Sequence, residues 1–191
     1  MYVVLPKSSG IVKPSPMTGL WIIILLYYCS AAVCCIKINF ESIEQTFGED
    51  FMVCDVRVRK FNRTSSVLNG TFYVLHDTTN DVKYQVDMYY SRLGNQQYNY
   101  MPMKLPSAGI CAFVNNLHSS FPEIAAIFVN FPGVNECPIT AREIHVLDQE
   151  FPSTMWPVVM QKTGLWKLDI IGVLRKTSHL AFNIVLRATN D

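Results

Sequence analysis

Charge is what this chain has least of. Asp, Glu, Lys and Arg make up 16% of its 191 residues, against 50% hydrophobic ones, and the formal net charge is +1. No run of like charge occurs, so the basic face on which a nucleic-acid binder depends is missing. There is no low-complexity tract and no internal repeat, and the length suits one domain with a substantial core and little room for a second. The familiar catalytic patterns are absent as well: no GxSxG, HExxH, CxxC or P-loop motif occurs. His76, His118, His145 and His179 are scattered, without metal-ligand spacing. His118 follows Cys111 closely enough to admit a thiol–imidazole pair, but a half-cystine explains Cys111 better. Asp55, Asp87 and Asp169 fall on the expected solvent faces of strands, where a charge is ordinarily just solvated. Nothing assembles into a catalytic constellation, so no enzyme, metal or cofactor is expected.

What is present begins with a targeting segment. Gly19 to Val33 carries no charged residue, Leu20 to Tyr28 is an apolar run, and Ser30-Ala31-Ala32 supplies the small residues of a signal-peptidase site. Met17 stands just before the run and is an alternative start. The uncharged span from Pro14 to Ile36 is also long enough to anchor the chain in a bilayer. The short apolar core and the small residues behind it favour cleavage. Residues 1–32 are therefore read as leader plus signal peptide, and 33–191 as one secreted domain with no stable membrane insertion. Two N-glycosylation sequons, Asn62-Arg63-Thr64 and Asn69-Gly70-Thr71, agree with that route. Asn69-Gly70 also reads as a type I′ hairpin turn.

The body of the chain alternates like β-structure. Ile36 to Glu41, Met52 to Arg59, Ser66 to Leu75 and Tyr98 to Leu105 read as strands, the last broken by Pro102. Val82, Tyr84, Val86, Met88 and Tyr90 against Lys83, Gln85 and Asp87 give the cleanest period of two. Glu143 to Leu147, Leu165 to Leu174 and Leu180 to Arg187 complete the set. Seven or eight short strands with little helix indicate an immunoglobulin-like antiparallel β-sandwich.

One helix interrupts this pattern. Ser120-Phe121-Pro122-Glu123 reads as a capping box, and Ile124, Ile127, Phe128 and Phe131 form a helical stripe that ends at Pro132-Gly133. Cys111 and Cys137 bracket the segment, and a disulfide between them would pin a helical flap against a sheet. Cleavage after Ala32 leaves Cys34, Cys35, Cys54, Cys111 and Cys137, an odd number. Cys54 can pair with Cys34 or Cys35, or stay unpaired and buried. A hairpin near Phe47-Gly48 would set Cys54 opposite Glu41, away from both. Met101, Met103, Phe128, Phe131, Trp156 and Trp166 concentrate beside the flap and the late loops. They are the candidate ligand-binding residues, because such side chains adapt to apolar ligands.

These motifs support a resemblance. Asp50-Phe51-Met52-Val53-Cys54-Asp55-Val56-Arg57-Val58-Arg59-Lys60-Phe61-Asn62-Arg63-Thr64 and Val67-Leu68-Asn69-Gly70-Thr71 resemble the insect CheA-type chemosensory proteins. Tyr98-Asn99-Tyr100-Met101-Pro102, Cys111-Ala112-Phe113, Asn135-Glu136-Cys137-Pro138-Ile139, and Trp156-Pro157 followed by Gly164-Leu165-Trp166-Lys167 are similar to the pattern of their wider relatives. The likeness spans about Phe40 to Ile184. It implies kinship with the ML lipid-recognition proteins, such as the ganglioside activator, whose sandwich opens between its sheets to hold a lipid. It further implies a Cys111–Cys137 disulfide near the pocket mouth, a hydrophobic ligand and a role in gustatory pheromone sensing. Wider relatives often carry a cysteine near the position of Phe40, so its absence leaves Cys54 without the implied partner. A rival reading is a solid-core accessory domain that modulates a neuronal receptor or channel through its surface.

Overall fold

The computed structural model describes residues 36–157, 160–174 and 177–190. The leader and signal peptide, the anchor alternative, and Cys29, Cys34 and Cys35 lie outside these residues. Among the described residues no helix is long and apolar enough to cross a membrane. The chain is mainly β. Its elements in order are β1 (Ile36–Phe47), β2 (Met52–Lys60), β3 (Ser66–Val74), β4 (Val82–Ser91), β5 (Asn99–Gly109), α1 (Ile110–Ser120), α2 (Pro122–Ala126), β6 (Phe128–Val129), β7 (Arg142–Gln149), β8 (Gly164–Leu174) and β9 (Thr177–Asn190). They form two antiparallel sheets, one of order β1-β9-β8-β4-β5 and one of order β2-β3-β7-β6.

Side chains alternate across a strand, so register decides which residues meet in rows on the inner face of the larger sheet. One row runs Tyr90–Trp166–Leu186–Phe40 and the next Met88–Leu168–Ile184–Ile43. A third runs Val86–Ile170–Phe182, and a fourth Tyr84–Gly172–Leu180. Val56, Leu68, Ile144 and Val146 are buried on the smaller sheet. The two sheets touch where Phe72 of β3 meets Phe182 of β9 edge-on, with ring centroids 6.2 Å apart. Gln45 of β1 also links them. Its side-chain amide donates to the Met52 carbonyl (2.6 Å) and accepts from the Cys54 amide (2.8 Å), which serves the open backbone of edge strand β2.

Several expectations need correction. β1 and β2 do not form a hairpin: β1 pairs with β9 and β2 with β3, so Cys54 lies opposite Phe72 and not Glu41. Asn69-Gly70 is not a turn but lies in mid-strand, at a bulge where β3 meets β7. Gly70 has φ +141°, and a Cβ there would come within 2.1 Å of the Asp55 carbonyl oxygen, so glycine is required by its missing side chain. Pro102 does not end β5; it falls where the β4–β5 ladder is irregular, between Met101 and Leu105, on an edge strand, which is where a strand tolerates proline. Asp169 is not simply solvated; it is half-buried and pairs with Lys167 at 3.2 Å.

The helical segment differs most. Two helices replace the single expected one, and the longer begins at Ile110, upstream of the capping-box motif. Ser120 ends α1 instead of capping a helix, and no side-chain cap bond forms at the start of α2. Ile110, Phe113, Val114 and Leu117 share one face of α1, and its N-terminal amide at Cys111 donates to Asn80 Oδ1 (3.1 Å), a cap supplied from the β3–β4 loop. Phe128 leaves helical geometry altogether and opens β6, where it pairs with Val146.

Candidate functional site: an apolar cavity between the sheets

The interior is packed at two places and hollow between them. Ile38, Phe40, Leu68, Trp166, Leu186 and their neighbours make one buried cluster. Val82, Tyr84, Leu180 and Phe182 make another. Between the two lies a cavity of about 340 Å³. Its floor is the middle of the inner face of the larger sheet, where Leu168, Ile170 and Ile184 remain only half-buried because they face open space. Phe72 and Ile144 contribute from the smaller sheet, and Phe113, Leu117 and Ile124 from the helices. The volume exceeds twice the roughly 150 Å³ of an engineered apolar cavity that stays dry and takes benzene. It falls within the range of small-molecule sites.

The helical flap is fastened over this space from both ends. Cys111 on α1 and Cys137 form a disulfide, with Cα atoms 5.6 Å apart. Asn115 and Asn135 exchange two hydrogen bonds (2.7 and 3.2 Å), and His118 Nε2 lies 2.8 Å from the Pro132 carbonyl oxygen. The Glu136 carboxylate accepts from the Gly133 amide (2.8 Å) and pairs with Arg142. Those contacts hold it below its ordinary value, the Gly133 hydrogen bond contributing most. Phe113 then rests on Tyr84 of β4 with centroids 5.7 Å apart. The loop after β7 forms another wall: Phe151 meets Phe40 (5.5 Å) and Trp156 (5.6 Å), and the Trp156 indole donates to the Met160 carbonyl (2.7 Å).

The six candidate ligand residues divide evenly. Phe128, Phe131 and Trp156 line the cavity. Phe128 and Phe131 stack with centroids 5.3 Å apart, and their other side borders a shallow surface hollow with Pro122 and Asn130. Met101 and Met103 pack against the core from edge strand β5 and do not line the cavity. Trp166 is fully buried between Tyr90 and Trp156, its indole donating to the Lys162 carbonyl (3.2 Å); it supports the wall from behind. The sequence reading missed Phe72, Tyr84, Phe113, Leu117, Ile170 and Phe182. Strand parity carried the signal for Tyr84, Ile170 and Phe182, which alternate inward on strands already identified.

Other candidate groups are committed elsewhere. Cys111 is oxidised, so no thiol faces His118. Cys54 carries a free thiol, and burial pushes its pKa up, away from the reactive thiolate. Among the described residues no three His, Cys, Asp or Glu side chains converge as metal ligands. Asn62 lies in the exposed β2–β3 loop, where its Oδ1 accepts from the amides of Thr64 (2.8 Å) and Ser65 (2.7 Å). Asn69 donates to Asp148 Oδ1 at 3.0 Å. No protein-family model matches the chain, and no curated protein matches it.

Proposed function

We propose that this chain is a secreted, non-enzymatic protein that binds a hydrophobic molecule between two β-sheets arranged as an immunoglobulin-like, ML-type sandwich. The single observation behind this reading is the cavity: about 340 Å³, walled mainly by aliphatic and aromatic side chains, with no Asp, Glu, Lys, Arg or His among the described residues that line it. Binding would be driven by desolvation of alkyl groups, about 0.8 kcal/mol per buried CH₂. Ten methylenes thus offer roughly 8 kcal/mol before the cost of ordering the ligand. The resemblance to the insect CheA-type family supplies the biological setting. A lipid or hydrocarbon pheromone would be carried in extracellular fluid and presented to a neuronal receptor or channel.

The rival reading, a solid-core accessory domain acting through its surface, needs an interior filled by side chains. The hollow between the two packed clusters favours the binding reading. Titration of the purified secreted protein with a fluorescent apolar probe tests it. Saturable uptake, displaced by a long-chain hydrocarbon or lipid, is expected; absence of saturable uptake would overturn the proposal.

A further inference from the structure

We infer that the cavity selects an electrically neutral ligand carrying one uncharged polar group, which docks at the Tyr84 hydroxyl, and rejects ionised carboxylates. This inference rests on the binding reading above and specifies the class of molecule bound.

Few polar atoms are available in the wall. Among the described residues that line it, only Thr78, Tyr84 and Trp156 carry a side-chain hydrogen-bonding N–H or O–H. Two of the three are committed: Thr78 Oγ1 donates to the His76 carbonyl (3.1 Å), and the Trp156 indole to Met160. Among the described residues nothing pairs with the Tyr84 hydroxyl, although the residue is only 6% exposed. The hydroxyl is not one of the sealed, unpaired atoms of the described residues, which are Ser65 Oγ and Asp169 Oδ1; it keeps a little accessible surface, and on a residue that lines the cavity that surface is open to a group that enters it.

The location of Tyr84 fits that role. It lies on the inner face of β4 beside Gly172 of β8, under the Phe113 ring of α1. That places it at the flap end of the hollow, while the Phe40–Phe151–Trp156 group closes another side. A ligand's tail can therefore lie across Leu168 and Ile184 with its single polar group near Tyr84. An alcohol, ester, aldehyde or ketone satisfies the phenol without bringing in charge. A carboxylate does not, because it would lose its hydration with no cation among the described residues of the wall to replace it. The wall already acts this way on its own residue: burial pushes the Tyr84 phenol up to about 12, disfavouring the charged form.

The test compares four ten-carbon probes by displacement of a neutral fluorescent lipid: the alkane, the alcohol, the methyl ester and the carboxylic acid. At pH 8 the ester and alcohol should outbind the acid by tenfold or more. The acid's affinity should rise about tenfold per unit as pH falls from 8 to 6, because only its protonated form enters. Tyr84→Phe should remove a roughly 2–10-fold advantage of alcohol and ester over alkane, read as the ratio of affinities within each protein. Acid binding as tight as ester binding and flat with pH would overturn the neutral-ligand inference while leaving the binding reading standing. Equal losses for alkane and ester in Tyr84→Phe would remove Tyr84 as the polar subsite. Failure of all four probes to bind would sink the binding reading itself, and this inference with it.

Discussion

Thr154, in the loop after β7, donates its hydroxyl proton to the Glu123 carboxylate on α2. Ile124 beside the one residue and Met155 beside the other both line the cavity, so this bond latches the helical flap to the opposite wall. Both partners are exposed, where such a bond adds little to global stability but can control local opening.

Thr154→Val should therefore change exchange more than folding. Loss of one net hydrogen bond, about 1 kcal/mol, corresponds to roughly fivefold faster probe dissociation in stopped flow. The melting temperature should barely move. An unaltered dissociation rate would show that ligand passes by another route.

The Cys111–Cys137 disulfide closes a loop with a sequence separation of 26. In the chain-entropy model that is worth about 3–4 kcal/mol. Replacing both cysteines by serine should lower the melting temperature by roughly 6–16 °C for a chain of this size. Probe affinity should also fall, because α1 supplies Phe113 and Leu117 to the cavity wall. Scanning calorimetry paired with probe titration checks both effects.

Filling the hollow should separate stability from binding. Ile184 is half-buried on the inner face of β9 and faces the open volume. Ile184→Phe should hold or raise stability, by up to about 2 kcal/mol, while probe uptake drops sharply. Chemical denaturation and the same titration would reveal the divergence. A strongly destabilised variant would mean that the space is already occupied by packing.

Acid should loosen the protein through two carboxylates. Arg187 bonds Glu41 (2.7 and 2.9 Å) and holds its pKa below the ordinary value, as the Gly133 amide does for Glu136. A group whose folded pKa is depressed contributes stability that is present above its unfolded value, here 4.5, and lost as pH falls through the folded one. Melting temperature should thus be level from pH 7 to 5 and decline below that. Glu136→Gln should shrink the decline, and it should loosen the flap specifically, since Glu136 ties Gly133 to Arg142.

The strands were legible because each meets a core on one side only. β4 places Val82, Tyr84, Val86 and Met88 inward and Lys83 outward, and its alternation survives intact. α1 was not legible. Asn115, Asn116, His118, Ser119 and Ser120 are indifferent helix formers, and what holds the helix is tertiary: Asn80 at its start, the disulfide, and Phe113 on Tyr84. Ile124, Ile127, Phe128 and Phe131 do fall at helical spacing, but β7 captures Phe128 into a two-residue strand. The cavity was legible as an apolar surplus and not as a place. Parity assigns Trp166 and Leu168 to the same inner face, yet only register and the loop after β7 decide that Trp166 is packed while Leu168 borders the hollow. Met101 and Met103 misled for the same reason, since they lie on an edge strand beside the core.

The central claim is that the hollow between the sheets holds a hydrophobic molecule. Native mass spectrometry of the protein as secreted by eukaryotic cells, before any delipidation, tests it most directly. The account predicts a bound population heavier than the deglycosylated apo-protein by the mass of a small neutral lipid. That mass should vanish on organic extraction, and Ile184→Phe should lack it. A wild-type protein that is uniformly at its apo mass, and stays so after incubation with neutral lipids, would contradict the account.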